Sequence, residues 1–264
     1  MVSDLDAALS PFLAAPATAA ILLDFDGVLA PIVDDPAAAR PLEGTAELLS
    51  ELAARYKVVG VVSGRPVSFL QPLLPPGLVL SGLYGLEVVD NGTRTDHPQS
   101  GAWREVIEDV ARCSVDRGPQ GMVVETKGLS LTLHYRTHPE LAAEVQGWAT
   151  HQAARSGLVY RPAKMSVELH PPIDADKGTA VEAIAKRASA VCFVGDDVGD
   201  LAAYDALDRL AEQGVHTLRV AVRSDETAAE LLRRADLVVD GPEAVVDLLR
   251  RLAATGAEAE QAKQ

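Results

Sequence analysis

Acidic side chains stand directly after apolar segments at two places in the 264-residue sequence. Asp24 and Asp26 follow "AILL" with one residue between them, and Asp196, Asp197 and Asp200 belong to the cluster "GDDVGD" that follows "AVCFV". Residues i and i+2 of an extended segment point the same way, so Asp24 and Asp26 face one side. Neighbouring carboxylates repel by roughly 4 kcal/mol per pair at about 4 Å and an effective dielectric constant of about 20. We therefore expect a cation among them, and oxygen donors with few protein ligands favour Mg²⁺.

A hydroxyl and an ammonium that suit a phosphate occur at the same kind of position. Ser63 follows the apolar segment "VVGVV", and Gly64 leaves backbone N–H groups free for phosphoryl oxygens. Lys177 precedes a predicted helix, where its ammonium can bind phosphate as a point charge. Each also has a plainer interpretation, Ser63 as a helix N-cap and Lys177 as a solvated loop residue. In open α/β sheets, however, ligands gather beyond the carboxyl ends of the strands, where "DFD", "SGR" and "GDDVGD" all fall.

The composition is that of a globular protein with an acidic surface. Hydrophobic residues make up 48% of the chain and charged residues 23%, which is enough apolar material for one domain or two. The 38 acidic and 24 basic side chains give a formal net charge of -14, and no run of Lys or Arg occurs. A nucleic acid backbone would be repelled, so we expect no nucleic acid partner.

The sequence also predicts a cytoplasmic protein. The first thirty or so residues carry Asp4 and Asp6 and lack a basic segment followed by a long apolar core, so we expect no signal peptide. The longest apolar runs are too short to span a bilayer. Cys113 and Cys192 are expected to be buried, reduced thiols. We expect the chain to act as a monomer.

Short apolar runs rich in Val, Ile and Leu alternate with helical patterns in the two outer parts of the chain. The segments "AAILLDF", "KVVGVVSG" and "LVLSGL" predict strands, with helices "GTAELLSELAARY" and "PVSFLQPLL" between them. After "HPPIDADKG" the same rhythm resumes through the strands "AVCFVG", "TLRVAV" and "LVVDG". This pattern is typical of a parallel sheet with both faces covered. Asn91-Gly92 within "GLEVVDNGTRTDH" predicts a β-hairpin.

The pattern changes between about residues 101 and 170. Two helical patterns, "AWREVIEDVARCSV" and "PELAAEVQGWATHQAARSG", are each followed by two alternating strands, which gives an αββαββ order. Strands that are polar at alternate positions predict a small sheet with helices on one face and the other face open. Trp103 and Trp148 are expected to anchor the core of this module. The histidines lack the i,i+4 spacing of a metal site and are expected to be structural or to lie at a rim, namely His134, His151 and His170.

Four motifs, "DFDGVL", "SGR", "DKG" and "GDDVGD", resemble in this order those of the haloacid dehalogenase-type phosphatases. Further segments between about residues 20 and 206 are similar to the trehalose-6-phosphate phosphatase family, namely "DGVLAPIVDDP", "SGLYGLE", "VETKGLSLTLHYR", "KMSVELHPP" and "GDDVGDLAAYDAL". The resemblance implies an α/β fold with a Rossmann-like parallel-sheet core of residues 1–100 and 171–255. An inserted α+β cap of the αββαββ kind would comprise residues 101–170, and residues 256–264 are expected to form a disordered polar tail.

The resemblance also implies a phosphomonoester hydrolase that releases phosphate from trehalose 6-phosphate through an aspartyl-phosphate intermediate. Asp24 would be the nucleophile, and Asp26 the acid that protonates the leaving sugar oxygen and then activates water. Ser63 and Lys177 would hold the phosphoryl oxygens. The Mg²⁺ ligands would be the Asp24 carboxylate, the Asp26 main-chain carbonyl and Asp196, with Asp197 or Asp200 in support.

The same resemblance implies a set of residues that contact the sugar phosphate substrate. They are Gly64 and Arg65 in the core, and Glu125, Lys127, Arg136, Lys164 and Glu168 in the cap. Alternation supports part of this set, because Glu125 and Lys127 share one face of a strand. Lys164 and Glu168 share one face of another strand. The plainer interpretation is a solvated sheet face with exposed salt bridges.

The last motif departs from the family pattern, because Gly199 and Leu201 replace Thr and Glu. Both positions would lie beside the substrate, so the alternative is the same chemistry on another glycosyl or pseudo-disaccharide phosphate. Val28 also replaces the usual Thr, a change that we expect to be tolerated. Two alternatives belong to other functional classes. One is a phosphoacceptor signalling domain, although such a domain needs no inserted module. The other is a catalytically silent binding protein, although every expected chemical residue is present.

Overall fold

The computed structural model describes residues 2–33, 35–163, 165–225 and 227–254. Lys164, one of the predicted substrate contacts, and the predicted tail 256–264 lie outside these described residues. The chain divides into two compact units. The core unit comprises the residues up to Arg94 and those from Ala175 onward, and the insert unit comprises Thr95–Asp174.

Twelve strands occur in the described residues. In chain order they are β1 (Ala19–Leu23), β2 (Val58–Val62), β3 (Val79–Gly82), β4 (Glu87–Asp90), β5 (Thr93–Asp96), β6 (Val123–Thr126), β7 (Leu131–His134), β8 (Val159–Ala163), β9 (Ser166–His170), β10 (Ala190–Gly195), β11 (His216–Arg223) and β12 (Leu237–Asp240).

Nine α-helices and several short 3-10 turns occur in the same part of the chain. The helices are α1 (Val2–Ala14), α2 (Thr45–Arg55), α3 (Val67–Leu70), α4 (Arg104–Arg117), α5 (Ala142–Ser156), α6 (Lys177–Ile184), α7 (Leu201–Glu212), α8 (Ala229–Arg234) and α9 (Gly241–Ala253). The 3-10 turns are Pro16–Thr18, Pro36–Ala38, Leu83–Gly85, Ser100–Trp103, Pro139–Leu141 and Val198–Asp200.

The core unit is built on a sheet with the strand order β12-β11-β10-β1-β2-β3-β4-β5. The strands from β12 to β3 pair in parallel, whereas β4 pairs antiparallel with β3. All side chains of β1 are buried, as a strand covered on both faces requires. Leu49 of α2 and Leu249 of α9 belong to the apolar cluster on one face, and Val181 of α6 and Leu207 of α7 to that on the other. The predicted parallel α/β fold is confirmed.

The register of the central strands brings their carboxyl ends to one edge of the sheet. Leu23, the last residue of β1, pairs with Val194 of β10 on one side and with Val61 of β2 on the other. Ligand sites of open α/β sheets form at such an edge. The segments that leave the sheet there begin at Asp24, Ser63 and Asp196.

Local chemistry accounts for the predicted hairpin and for two departures from the predicted elements. Asn91 and Gly92 have φ values of 48° and 74°, the left-handed values that a type I′ turn between β4 and β5 requires. The helix predicted over "PVSFLQPLL" is shorter than expected, because Pro72 lacks the N–H that would continue α3. Helix α1 was not predicted, and it buries Leu9 and Phe12 in the core.

The insert unit has an antiparallel sheet in the order β6-β7-β9-β8. Its apolar cluster joins Val145 of α5 to Leu133 of β7 and Val167 of β9. Trp103 and Trp148 pack against this cluster, as expected. The predicted αββαββ order is confirmed, with both helices contributing to one apolar cluster.

Both cysteines are free thiols. Cys192 is buried as predicted, but Cys113 is only half-buried, because it lies beside the buried stripe of α4 that Val110 and Ser114 form. None of the described helices combines the length and the apolar character needed to cross a bilayer.

Glu87, the first residue of β4, joins separate parts of the core unit. Its side chain is 4% exposed. Oε2 accepts the backbone N–H of Val67 at 2.8 Å, and Oε1 accepts a guanidinium N–H of Arg94 at 2.6 Å. The carboxylate thus accepts a hydrogen bond from an N–H at the start of α3 that has no carbonyl partner within the helix.

Replacing Glu87 by Ala should lower the free energy of unfolding by about 2–3 kcal/mol, because a buried N–H loses its acceptor and a charge-assisted bond disappears. Glu87→Gln keeps an acceptor for Val67 and should cost less. Urea unfolding followed by far-UV circular dichroism measures both variants. Equal losses in the two, or no loss in either, would contradict the assigned role.

Candidate active site

Asp24 extends the pairing of β1 with β10 by one residue, and its carboxylate is buried among other charged side chains. Its N–H donates to the Val194 carbonyl at 2.9 Å. Its Oδ1 accepts the Phe25 N–H at 2.6 Å, and its Oδ2 accepts Lys177 Nζ at 2.7 Å. Asp24 is 5% exposed, so both oxygens have fixed partners in a nearly dry environment.

Lys177 is the buried cation of this site. It is the first residue of α6, and the reciprocal capping bonds between Asp176 and Thr179 fix the start of that helix. Nζ donates to Asp24 and also to Asp200 Oδ1 at 2.6 Å. Burial alone would lower the pKa of Lys177, but the carboxylates of Asp200 and Asp24 hold that pKa well above its usual value. Lys177 therefore stays charged.

Asp200 organises the loop after β10. It is fully buried, and its Oδ2 accepts the backbone N–H groups of Asp196 at 2.8 Å and Asp197 at 3.1 Å. Gly195 makes this possible, because a Cβ there would lie 2.4 Å from Asp200 Cγ. Burial raises the pKa of Asp200, while Lys177 opposes the rise.

Four carboxylates meet at this edge of the sheet. One oxygen from each of Asp24, Asp196, Asp197 and Asp200 lies within 4.8 Å of the others. Asp196 accepts no hydrogen bond from the described residues and lies against Gly27, where a Cβ would stand 2.1 Å from its Oδ2. Burial raises the pKa of Asp24 to about 8 despite Lys177, and burial with Asp200 raises that of Asp196 well above its usual value. The single ammonium leaves this group short of positive charge, and the all-carboxylate donor set fits a hard divalent cation.

Asp26 lies apart from this group and pairs with Arg65. Arg65 Nε donates to Asp26 Oδ2 and its NH2 nitrogen to Oδ1, each at 2.8 Å. The guanidinium carbon also lies 4.5 Å from the centre of the Phe69 ring. The sequence predicted Asp26 as the acid and Arg65 as a substrate contact, and their bidentate pairing was not foreseen.

Ser63 and Gly64 form the turn that follows β2. Ser63 is 1% exposed, and its Oγ accepts the Arg65 N–H at 3.2 Å. The plain helix-cap interpretation of Ser63 is wrong, because α3 begins only after Pro66. Gly64 accommodates Tyr84, whose Cζ would lie 2.7 Å from a Cβ at that position. The segment "SGLYGLE" was noted in the sequence, but the contact of Tyr84 with Gly64 was not foreseen. That contact depends on a left-handed φ of 58° at Tyr84, which no sequence pattern indicates.

Glu125 and Glu168, two of the predicted sugar contacts of the insert unit, lie on the sheet face away from its apolar cluster. Antiparallel register places Glu125, Thr132, Glu168 and Arg161 in one row across all four strands. Side chains opposite one another in a sheet are within contact distance. Thr132 and Arg161 were not predicted from the sequence, since only strand register reveals them.

Glu168 is the centre of this polar face. Its Oε1 accepts Lys127 Nζ at 2.7 Å and the Thr132 hydroxyl at 3.2 Å, while its Oε2 lies 3.2 Å from His170 Nε2. Burial opposes ionisation of Glu168, but Lys127 and His170 hold its pKa well below the usual value. Burial lowers the pKa of His170, so this ring is neutral near pH 7 and donates to the carboxylate.

The remaining predicted sugar contacts divide into three cases. Glu125 Oε2 lies 2.8 Å from His134 Nε2. Arg136 is half-buried and makes no side-chain hydrogen bond or ion pair to the described residues. Lys164 lies outside the described part of the chain. His134 and His170 thus contact predicted site residues, which their sequence spacing did not indicate.

Comparison with known sequences gives a family match across most of the chain. A sequence model described as trehalose-phosphatase matches residues 22–236. The trehalose-phosphate phosphatase of Mycobacterium avium is 32% identical over 250 residues, which cover 89% of this chain and 62% of that protein. The chain thus spans about three-fifths of the length of the curated relatives that it matches.

Solved structures with the same fold cover nearly the whole chain. The C-terminal domain of a Candida albicans trehalose-6-phosphate phosphatase is 23% identical with a TM-score of 0.76, and the match covers 95% of this chain and 97% of that one. A trehalose-6-phosphate phosphatase related protein is 24% identical with a TM-score of 0.71, covering 88% and 95%. These likenesses concern the fold.

A divalent cation should stabilise the protein, because it relieves repulsion among Asp24, Asp196, Asp197 and Asp200 only when they are brought together. At a cation concentration of about 100 times Kd the gain is about 2.7 kcal/mol, measurable as a rise in Tm. Asp196→Asn should reduce the shift, whereas Asp247→Asn, an exposed control on α9, should not. An equal shift in both variants, or none in the parent protein, would refute a cation site here.

The insert unit should lose stability as the pH falls below about 6.5. The folded-state pKa values of His170 and Glu168 both lie below their usual values of 6.5 and 4.5, so their contribution is present above those values and is lost on acidification. Each extra proton bound by the unfolded state costs about 1.4 kcal/mol per pH unit. Urea unfolding at pH 7.5 and 5.5, followed by the emission of Trp103 and Trp148, should show a smaller loss in His170→Asn. An unchanged loss would exclude His170 as the source.

Proposed function

The chain belongs to the trehalose-phosphatase family, and from this premise we propose that it hydrolyses trehalose 6-phosphate to trehalose and phosphate. The observation that carries the proposal is the Asp24 carboxylate, which is buried, bonded to Lys177 and grouped with three other carboxylates. A carboxylate nucleophile, a fixed ammonium and a cation site are the groups that a two-step phosphoryl transfer requires. The core unit would then be the haloacid dehalogenase-like catalytic part and the insert unit its cap.

Asp24 acts as the nucleophile in the proposed first step. One carboxylate oxygen attacks phosphorus, the bond from phosphorus to the sugar oxygen breaks, and an aspartyl-phosphate forms. The hydrogen bonds from Phe25 N–H and Lys177 hold the carboxylate in one orientation. Lys177 also places a positive charge beside the phosphoryl oxygens, where negative charge is spread in the transition state.

Asp26 donates a proton in the first proposed step and accepts one in the second. In the acid form one Asp26 oxygen carries a proton in place of a hydrogen bond from Arg65, and it gives that proton to the leaving sugar oxygen. The resulting carboxylate then takes a proton from the water that attacks the aspartyl-phosphate. Phosphate leaves and the Asp24 carboxylate is restored. The two hydrogen bonds from Arg65 support a positioning role toward Asp26 in place of a direct contact with substrate. Ser63, whose Oγ accepts only the Arg65 N–H among the described residues, keeps its own O–H to donate to phosphate.

Mg²⁺ is the cation that we propose for the carboxylate group. Asp24 and Asp196 would ligate it together with the main-chain carbonyl of Asp26. Asp200 would support the loop, since its Oδ2 accepts the backbone N–H groups of both Asp196 and Asp197, and exposed Asp197 would add charge. When bound, Mg²⁺ would neutralise phosphoryl oxygens and lower the barrier to their attack by an anion.

The polar face of the insert unit would recognise the sugar. Glu125, Lys127, Arg136 and Glu168 remain the proposed contacts, together with Lys164. The buried pair of Lys127 and Glu168 supports this proposal, because a sugar hydroxyl can donate to the carboxylate and accept from the ammonium. A cytoplasmic location, a monomeric state and the lack of a nucleic acid partner remain predictions of the sequence.

Purified protein with Mg²⁺ should release phosphate from trehalose 6-phosphate, and Asp24→Asn should lower kcat by roughly 10⁴-fold or more, since no nucleophile remains. EDTA should abolish turnover, and Asp247→Asn provides a matched control outside the site. Glucose 6-phosphate and other glycosyl phosphates complete the panel. Hydrolysis of another glycosyl phosphate but not of trehalose 6-phosphate would favour the alternative substrate, and no turnover at all would favour a silent binding protein.

A further inference from the structure

A shallow depression of about 450 Å³ lies on the helical side of the insert unit, away from its polar sheet face. Helix α5 contributes Glu144, Gly147, Trp148 and His151, whose spacing of i, i+3, i+4 and i+7 places them on one helix face. Arg117, the last residue of α4, and Gln120 of the turn that follows it also line the depression. None of these residues belongs to the proposed catalytic or sugar-contacting set.

Trp148 is held in one orientation at the depression. Part of its ring packs against the apolar cluster of the insert unit, and its indole N–H donates to Oγ of buried Ser114 at 3.0 Å. The rest of the ring lines the depression. A fixed aromatic surface therefore stands ready for a ligand at little cost in side-chain entropy.

Polar groups of several kinds surround this ring. Arg117, Gln120, Glu144 and His151 make no side-chain hydrogen bond or ion pair with any described residue. Together they offer a guanidinium, an amide, a carboxylate and an imidazole, which both donate and accept hydrogen bonds. The carboxylate of Glu144 opposes a simple anion, whereas a neutral ligand rich in hydroxyl groups can use all four.

Gly147 keeps the depression open at a local cost. It lies within the fifteen-residue helix α5, where glycine is less favourable than alanine by about 1 kcal/mol. No packing explains it, since a Cβ at this position would have no atom within 4 Å. A longer side chain there would project into the space beside Trp148.

We propose that this depression binds a neutral saccharide, with a sugar ring lying against the indole of Trp148. A pyranose has an apolar C–H face that suits an aromatic ring and hydroxyl groups that suit the surrounding polar side chains. The volume falls within the range of small-molecule sites. Binding here is independent of the catalytic residues, so it goes beyond the proposed phosphatase activity.

The probe of binding is Trp148 itself. Trp103 is the only other tryptophan, so Trp103→Phe leaves the emission of Trp148 alone. Titration of this protein with trehalose, with maltose and with inorganic phosphate should give a saturable change for the saccharides and none for phosphate. Saturation-transfer NMR with the same saccharides supplies a second readout that needs no fluorescence change.

Gly147→Gln should fill the depression and weaken saccharide binding at least about tenfold, while its higher helix propensity keeps α5 folded. Thr150→Gln is the matched control, because Thr150 is exposed on the same helix and does not line the depression. The proposal fails if neither readout detects a saccharide, if Gly147→Gln binds as well as Thr150→Gln, or if phosphate alone gives the response. Phosphate release from trehalose 6-phosphate is measured separately, so each proposal can fail without the other.

Discussion

The core unit depends on the burial of one ammonium among carboxylates at the carboxyl ends of its central strands. Lys177 bonds Asp24 and Asp200 at 2.7 and 2.6 Å, and all three side chains are almost fully buried. Ions so far from water persist only when each has close partners of opposite charge. Lys177 Nζ also lies 4.0 Å from Asp197 Oδ1, so Asp196 is the one member of the carboxylate group with no ion pair to the ammonium among the described residues.

Glycine provides the space that this concentration of charge needs. Side chains at Gly27 and Gly195 would overlap the carboxylates of Asp196 and Asp200. A Cβ at Gly178 would lie 2.3 Å from the Ala202 carbonyl oxygen, so the start of α6 can approach α7 only without one. The small residues in "DFDGVL", "DKG" and "GDDVGD" thus set how closely the charged segments approach one another.

Buried hydrogen bonds between charged and polar side chains also fix one sheet face of the insert unit. Lys127 and His170 bond the two oxygens of buried Glu168, which makes a rigid row of donors and acceptors on one sheet face. Such a row resists rearrangement because every change leaves a buried polar group unpaired. On the helical side, Trp148 is likewise fixed by its bond to Ser114, whereas the polar side chains around it make no hydrogen bond to the described residues.

The sequence by itself predicted most of the elements and the members of the carboxylate group, because both follow from local patterns. Apolar runs ending in Asp24, Ser63 and Asp196 gave the strands and their shared edge, and Asn91-Gly92 gave the hairpin. Only the tertiary structure decided which charges pair. Arg65 reaches Asp26 across 39 positions, and Glu168 meets Lys127 across 41, through strand register that no local pattern encodes. Pairing between distant residues depends on how the strands align, so the partners become visible only once the chain is folded.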